Sequence, residues 1–360
     1  CALPKFVHDR ADGVRLLFKE AHGHAPPDAE IRTRITSLPR PQFAYALQVS
    51  DAEKGNGNGV VERGETATIH LKVRNVGRGQ GHKTQANLRN MSGRGILLRD
   101  GRFQLDNLKP GEERDIAFTF ESLPDSDQSE VKLGISITDI DLREVVNETL
   151  KLPIKEPQGD AIRKGSGTVS LRDGAVIRER PDTTSKSVAR CTGGRCSLPV
   201  RAHFRGFTRV ETGDGRQGWI HDAQAAGAHG RTRGSVAADL NHMPPRLDVD
   251  YGHTLVTRRP TLRLRGRATD ETRVRDMYVF VGARKVFYRA NSGLKSPRAA
   301  DFETEIPLRG GINYVTVFAR ESNDIVSRKT FVVRRDGPDG SLLETPKLDD
   351  ETYWLDDVAE

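Results

Sequence analysis

Long apolar runs are missing from this sequence. None approaches the roughly 20 residues that a helix needs to cross a bilayer, so no membrane-spanning helix is expected. Cysteine is scarce, with only Cys1, Cys191 and Cys196 in 360 residues, and His203 is the sole imidazole near the close pair; a zinc centre is not expected. Helix-turn-helix, zinc-finger and RNP patterns are absent, which argues against nucleic acid as a partner despite a net charge of +7. No G-x-S-x-G, HExxH, P-loop or paired-carboxylate arrangement occurs either. Ser185-Lys186-Ser187 does not replace them, because adjacent residues on a turn cannot form a shielded Ser-Lys dyad. The chain itself is therefore expected to be non-catalytic.

Glycine, proline and alternation are plentiful. Thirty-five glycines and 18 prolines accompany 35% hydrophobic and 30% charged residues, too lean for one large core but enough for several small sandwiches. From Arg275 onward, Met277, Val279 and Val281 alternate with Tyr278 and Phe280. Gly282-Ala283-Arg284 then supplies a turn into Lys285-Val286-Phe287-Tyr288. After Gly310-Gly311, the residues Ile312, Tyr314, Thr316 and Phe318 alternate in the same manner. This reads as a β-sandwich over residues 247–337. A similar pattern over residues 42–155, with Ile69, Leu71 and Val73 inward, predicts another sandwich. Short strands between Gly/Asp turns over residues 166–226 predict a small barrel. The fold class is thus mainly β, with residues 1–36 (Phe6, Val14, Leu16, Leu17, Phe18) expected as a helical segment. Residues 156–165 and 227–246 read as linkers, and residues 338–360 as an acidic tail in which Tyr353, Trp354, Leu355 and Val358 share one side of a short helix.

Charge divides along the same lines. Residues 161–246 carry 15 basic and 7 acidic groups, and residues 247–337 carry 18 and 11. The tail holds 1 basic and 8 acidic residues. A basic body with an acidic tail suggests anionic partners, or a tail that docks on the body.

Three sets of residues are candidates for function. Residues 51–65 read DAEKGNGNGVVERGE, in which Asp51, Asn56, Asn58, Glu62 and Glu65 could supply the hard oxygens of a weak structural calcium site. The same pattern describes an Asx/Gly turn with no ion, and Lys54 stands where a first acidic ligand belongs. Phe204, Phe207 and Trp219 form a candidate aromatic ligand surface; the alternative places Phe207 and Trp219 in the barrel core. Cys191 and Cys196 bracket a four-residue loop, close enough for a disulfide, which would fit an oxidising compartment.

Several stretches resemble known families. Asn75-Val76-Gly77 and Leu108-Lys109-Pro110-Gly111-Glu112 resemble the turns of the cell-adhesion-related (CARDB-like) bacterial Ig-type fold. Ile177-Arg178-Glu179-Arg180-Pro181, Gly206-Phe207-Thr208-Arg209-Val210 and Gly218-Trp219-Ile220 resemble bacterial SH3-like domains, which often bind peptidoglycan or peptides. Residues 260–270 and 311–324 resemble a bacterial Ig-like domain. Their combination is similar to the C-terminal region of myxobacterial-type, PDZ-containing, carboxy-terminal-processing (tail-specific) serine peptidases. That resemblance implies upstream PDZ and peptidase domains in the same protein, an extracytoplasmic location, and a role in binding or positioning substrate, peptidoglycan or envelope proteins. The family's serine and lysine have no counterpart here. A stand-alone envelope lipoprotein acylated at Cys1 is the alternative.

Overall fold

The computed structural model describes residues 3–23, 26–157, 162–213, 215–226, 233–292 and 297–346. Its regular structure is antiparallel β-sheet almost throughout, and the chain divides into two compact units: residues 40–243, and residues 1–39 together with 244–360.

Within residues 40–243 there are two cores. The first lies between two four-stranded sheets. One runs in the order Phe43–Ser50, Thr66–Asn75, Glu113–Ser122, Ile96–Leu98; the other Glu144–Pro153, Glu130–Asp139, Thr84–Asn90, Arg102–Gln104. Ala67, Ile69, Leu71 and Val73 alternate inward with Phe43, Phe118, Phe120, Leu133 and Ile137, as a period of two requires for a sheet covered on one face. The second core belongs to a curled sheet that includes Cys196–Phe204, Phe207–Gly213, Arg216–His221, Val176–Arg178 and Ser187–Thr192. Leu171, Ile177, Val210 and Ile220 pack there around a disulfide between Cys191 and Cys196, whose Cα atoms are 5.9 Å apart.

Residues 233–243 are not a linker. Ser235–Ala238 pairs with Ser187–Thr192, and His242 then exchanges two backbone hydrogen bonds with Tyr45 at 3.0 and 3.1 Å. The segment thus adds an edge to the barrel and then to the sandwich. Its local sequence carries little strand signal; the hydrogen bonds come from edges that only the folded neighbours offer.

In the other unit, a three-stranded sheet (Arg246–Asp250, Thr261–Thr269, Ala299–Pro307) faces a five-stranded one (Val256–Thr257, Val326–Arg335, Gly311–Arg320, Asp276–Val281, Arg284–Ala290). Met277, Val279, Val281, Val315, Val317, Phe331 and Val333 fill the core. Gly282-Ala283 makes the two-residue turn between Val281 and Arg284.

The expected helix at residues 1–36 is not formed. Arg10–Leu16 and Ala29–Ile35 make an antiparallel ribbon, with Val14 opposite Ile31 and Arg10 opposite Ile35. Ile31, Thr33 and Ile35 alternate with Arg32 and Arg34 at the period of a strand, and this outweighs the looser helical spacing of Phe6, Val14 and Leu17. Asp9 fastens the ribbon to the sandwich. Its carbonyl accepts from Val332 N at 2.9 Å, and its carboxylate accepts from Ser37 N at 2.7 Å and from Tyr251 Oη at 3.3 Å.

Candidate functional site

Residues 51–65 leave the strand Phe43–Ser50 and return to Thr66–Asn75 as a loop whose polar groups close on one another. Asp51, Asn58, Glu62 and Glu65 are all buried. Asp51 Oδ2 accepts from Gly59 N at 2.9 Å. Asn56 and Asn58 each donate a side-chain amide to Glu62, at 2.8 Å. The two oxygens of Glu65 accept from Asn56 N at 2.6 Å and Glu62 N at 2.9 Å. Burial pushes the Asp51 carboxyl up despite the Gly59 N–H and the charge of Arg209. Burial also raises Glu65, aided by repulsion from Asp51 and Glu62.

The five residues singled out as oxygen donors are therefore neighbours, but N–H donors of the loop occupy their carboxylates. Among the described residues no group of three or more His, Cys, Asp or Glu side chains is placed to hold a metal ion. As placed, the polar groups of the loop satisfy one another.

Phe204, Phe207 and Trp219 sit on the strands Cys196–Phe204, Phe207–Gly213 and Arg216–His221. The register pairs Phe204 with Phe207, Arg209 with Trp219, and Phe207 with His221. Val210 and Ile220 point into the barrel core, and Phe207 and Trp219, an odd number of residues from them, are turned by alternation to the opposite face. Phe207 is 7% and Trp219 3% exposed all the same. Phe204 and Trp219 come together with ring centroids 6.3 Å apart. The guanidinium of Arg205 lies 4.9 Å over Phe204, and that of Arg209 lies 5.5 Å over Trp219. Phe207 instead meets His221 edge-on at 5.1 Å.

Arg209 joins the two candidate regions, and no local pattern in the sequence marks it. One of its terminal nitrogens donates to the carbonyl of Gly57 at 3.0 Å. Gly57 has φ of +79°, and an added Cβ would lie 2.2 Å from that nitrogen. Around this contact, Val49 N donates to Glu179 Oε1 at 2.9 Å, and Gln48 Nε2 donates to the Gln217 carbonyl. Further along the same edge strand, the Tyr45 ring stacks on His242 at 4.4 Å, while Tyr45 Oη and His242 Nε2 contact Glu148 at 2.6 and 3.2 Å. Burial works to raise Glu148, but the contacts with His242 and Tyr45 hold it below the usual carboxylate range.

Ser185 is buried in the barrel's turn, and its Oγ accepts from Arg180 N at 2.9 Å. The other unit contains a cleft of about 390 Å³ lined in part by Tyr251, Arg259, Arg263 and Arg265. Arg263 and Arg265 both pair with Glu303. Cys1 and the aromatic residues Tyr353 and Trp354 lie outside the described residues.

No protein-family model matches the chain, and no curated protein does. Among solved structures, the fibronectin(III)-like modules of CbhA from Clostridium thermocellum are 8% identical, covering 84% of this chain and 98% of theirs, with a TM-score of 0.18. Dimeric latent PorU from Porphyromonas gingivalis is 11% identical over 86% of this chain, which spans 35% of that protein, with a TM-score of 0.20. A membrane-anchored protein from Corynebacterium diphtheriae is 10% identical, covering 94% of this chain and 97% of its own, with a TM-score of 0.17. Likenesses this remote carry no argument about activity, and the all-β architecture stands on the strands themselves.

Proposed function

We propose that this chain is a non-catalytic binding region of an exported, tail-specific serine peptidase. Its CARDB-like and SH3-like modules would hold polypeptide substrate or an envelope component beside PDZ and peptidase domains encoded upstream. The observation that carries this reading is the half-buried Phe204 ring, which packs on the buried Trp219 and has the exposed Arg205 guanidinium over its face. They lie on a barrel fixed to its neighbouring sandwich by the Arg209–Gly57 hydrogen bond and by residues 235–242. Aromatic faces flanked by guanidinium groups suit extended peptides and anionic polymers, because stacking tolerates many sequences and the cations add attraction without fixed geometry. A disulfide in the barrel fits an oxidising compartment such as the periplasm.

The test is cosedimentation of the 360-residue chain with isolated peptidoglycan, alongside anisotropy titration with a labelled unfolded polypeptide. Binding to one of them is expected, weakened about tenfold, or 1.4 kcal/mol, by Phe204→Ala with Arg205→Ala. These side chains flank the hairpin turn, so the barrel core is untouched. Absence of binding to both, or binding indifferent to the double substitution, would overturn the assignment. The coding sequence preceding Cys1 checks the peptidase context separately.

A further inference from the structure

The two sheets of the first sandwich treat their surface charges differently. On the sheet that contains Thr66–Asn75, cations meet carboxylates: Lys72 Nζ lies 2.7 Å from Asp115 and 3.3 Å from Glu113, and Arg99 pairs with Glu121. The outer face of the other sheet is built otherwise. Val131, Leu133, Ile135 and Ile137 point into the core, so Lys132, Gly134, Ser136 and Thr138 point out. Their partners on the edge strand Glu144–Pro153 are Lys151, Thr149, Asn147 and Val145. On the other side, Arg89, Asn87 and Gln85 stand opposite Gly134, Ser136 and Thr138. Arg102 and Gln104 extend the last two rows.

Arg89, Arg102, Lys132 and Lys151 are all exposed on this face. The outward carboxylate of the same strands is that of Glu130, at one end, where Lys132 lies 3.6 Å from it. Lys132 and Lys151 stand directly opposite each other, an arrangement that costs a sheet stability. Amides and hydroxyls fill the space between the cations. Arg102 Nε donates to Asn87 Oδ1 at 3.0 Å, and Asn87 Nδ2 donates to Ser136 Oγ at 3.3 Å, a chain that crosses three strands. Met91, 51% exposed, lays its thioether over Gly134, where an added Cβ would meet Sδ at 3.1 Å. The face runs about 20 Å along the strands and about 14 Å across them.

We propose that this face binds a carboxylated polysaccharide, a chain of the uronic-acid type. Such a chain repeats a carboxylate beside several hydroxyls on every sugar. The face repeats cations beside amide and hydroxyl groups that both donate and accept. Met91 gives the C–H side of a sugar ring an apolar rest. A ligand carboxylate between Lys132 and Lys151 relieves their repulsion, which the fold alone does not. Single-stranded nucleic acid fits less well, because the rows hold no aromatic ring on which a base could stack. An extended polypeptide would add to a strand edge instead of lying across side chains. The surface belongs to a different module from Phe204 and Arg205 and stands without them.

Anisotropy titration of the 360-residue chain with labelled polygalacturonate fragments, beside dextran fragments of equal length, tests the assignment. Binding is expected for polygalacturonate alone, weakening as salt rises. Lys132→Gln with Lys151→Gln should raise the Kd about tenfold. The same pair should leave the melting temperature unchanged or raised, because the opposed charges are gone. Asn147→Ala with Thr149→Ala, which removes no charge, should raise the Kd about threefold. Phe204→Ala with Arg205→Ala should not change it, which separates this surface from the barrel. Absence of binding, equal affinity for dextran, or indifference to the lysine substitutions overturns the proposal. So does polygalacturonate binding that the barrel substitutions abolish, or equal affinity for single-stranded DNA of the same charge.

Discussion

At the scale of single residues, the loop of residues 51–65 concentrates three buried carboxyl groups, two of them raised by burial. A carboxyl with a folded value above its unfolded one takes up a proton more readily in the native state. Such a group opposes folding at neutral pH, and the opposition fades as pH falls through the raised value. Asp51→Asn keeps an oxygen for Gly59 N and deletes the charge. It is expected to raise the melting temperature by about 2–4 °C at pH 7 and to match the parent at pH 3, read by calorimetry. A lower melting temperature at pH 7, accompanied by calcium-dependent stability in the parent, would mean that the loop holds the cation after all. Gly57 is constrained differently. Its left-handed backbone strains any side chain, and a methyl group would push the Arg209 guanidinium off the Gly57 carbonyl, so Gly57→Ala is expected to cost about 1–3 kcal/mol in urea unfolding. A change near zero would refute the contact.

At the scale of elements, two short pieces hold more than their length suggests. The disulfide closes a short loop inside a small core, and the chain-entropy relation gives it about 2 kcal/mol. Reduction, or Cys191→Ser with Cys196→Ser, should lower barrel stability by that amount; equal denaturation midpoints with and without reductant would count against it. The edge formed by His242 depends on Glu148, whose depressed value contributes stability above its unfolded range that is lost as pH falls through the folded one. The protection factor of Tyr45 N, which donates to His242 O, should therefore fall as the Glu148 carboxylate is protonated in acid. His242→Ala should remove that acid dependence.

These elements also mark where the sequence could be read and where it could not. The strand Asp276–Val281 and its turn were legible because alternation and Gly282-Ala283 are local signals. The ribbon at Arg10–Leu16 is not legible locally, since its apolar residues fit a loose helical spacing and its partner strand begins only after Pro26-Pro27. Ser235–Ala238 and His242 have the composition of a linker, because their edge pairing is decided by distant strands. The acidic loop was legible as a motif. Arg209 was not, because its partner Gly57 lies about 150 residues away and nothing local distinguishes it from other arginines. Phe207 and Trp219 were weighed as barrel core; they are buried on the opposite face, a distinction that pairing register makes and composition cannot.

At the scale of the whole molecule, the unit made of residues 1–39 and 244–360 is discontinuous in sequence, with residues 40–243 inserted between its parts. A protease site introduced after Met243 should therefore give two pieces that stay together. Asp9 and the ribbon remain bound to the strand Val326–Arg335 through the Val332 N–H bond and the Tyr251 and Lys329 contacts. Coelution on gel filtration after cleavage is expected, and separation of the pieces would contradict the division.

The same arrangement bears on biosynthesis. The ribbon leaves the ribosome before the strand it fastens to, which is made some 300 residues later, an interval of about 15–60 s at ordinary elongation rates. Throughout that wait Val14, Leu16, Leu17, Phe18 and Ile31, exposed even in the finished fold, have no sandwich beside them. A nascent chain stalled before residue 326 lacks the strand that Asp9 bonds to, and releasing the stall should slow hydrogen exchange in the ribbon.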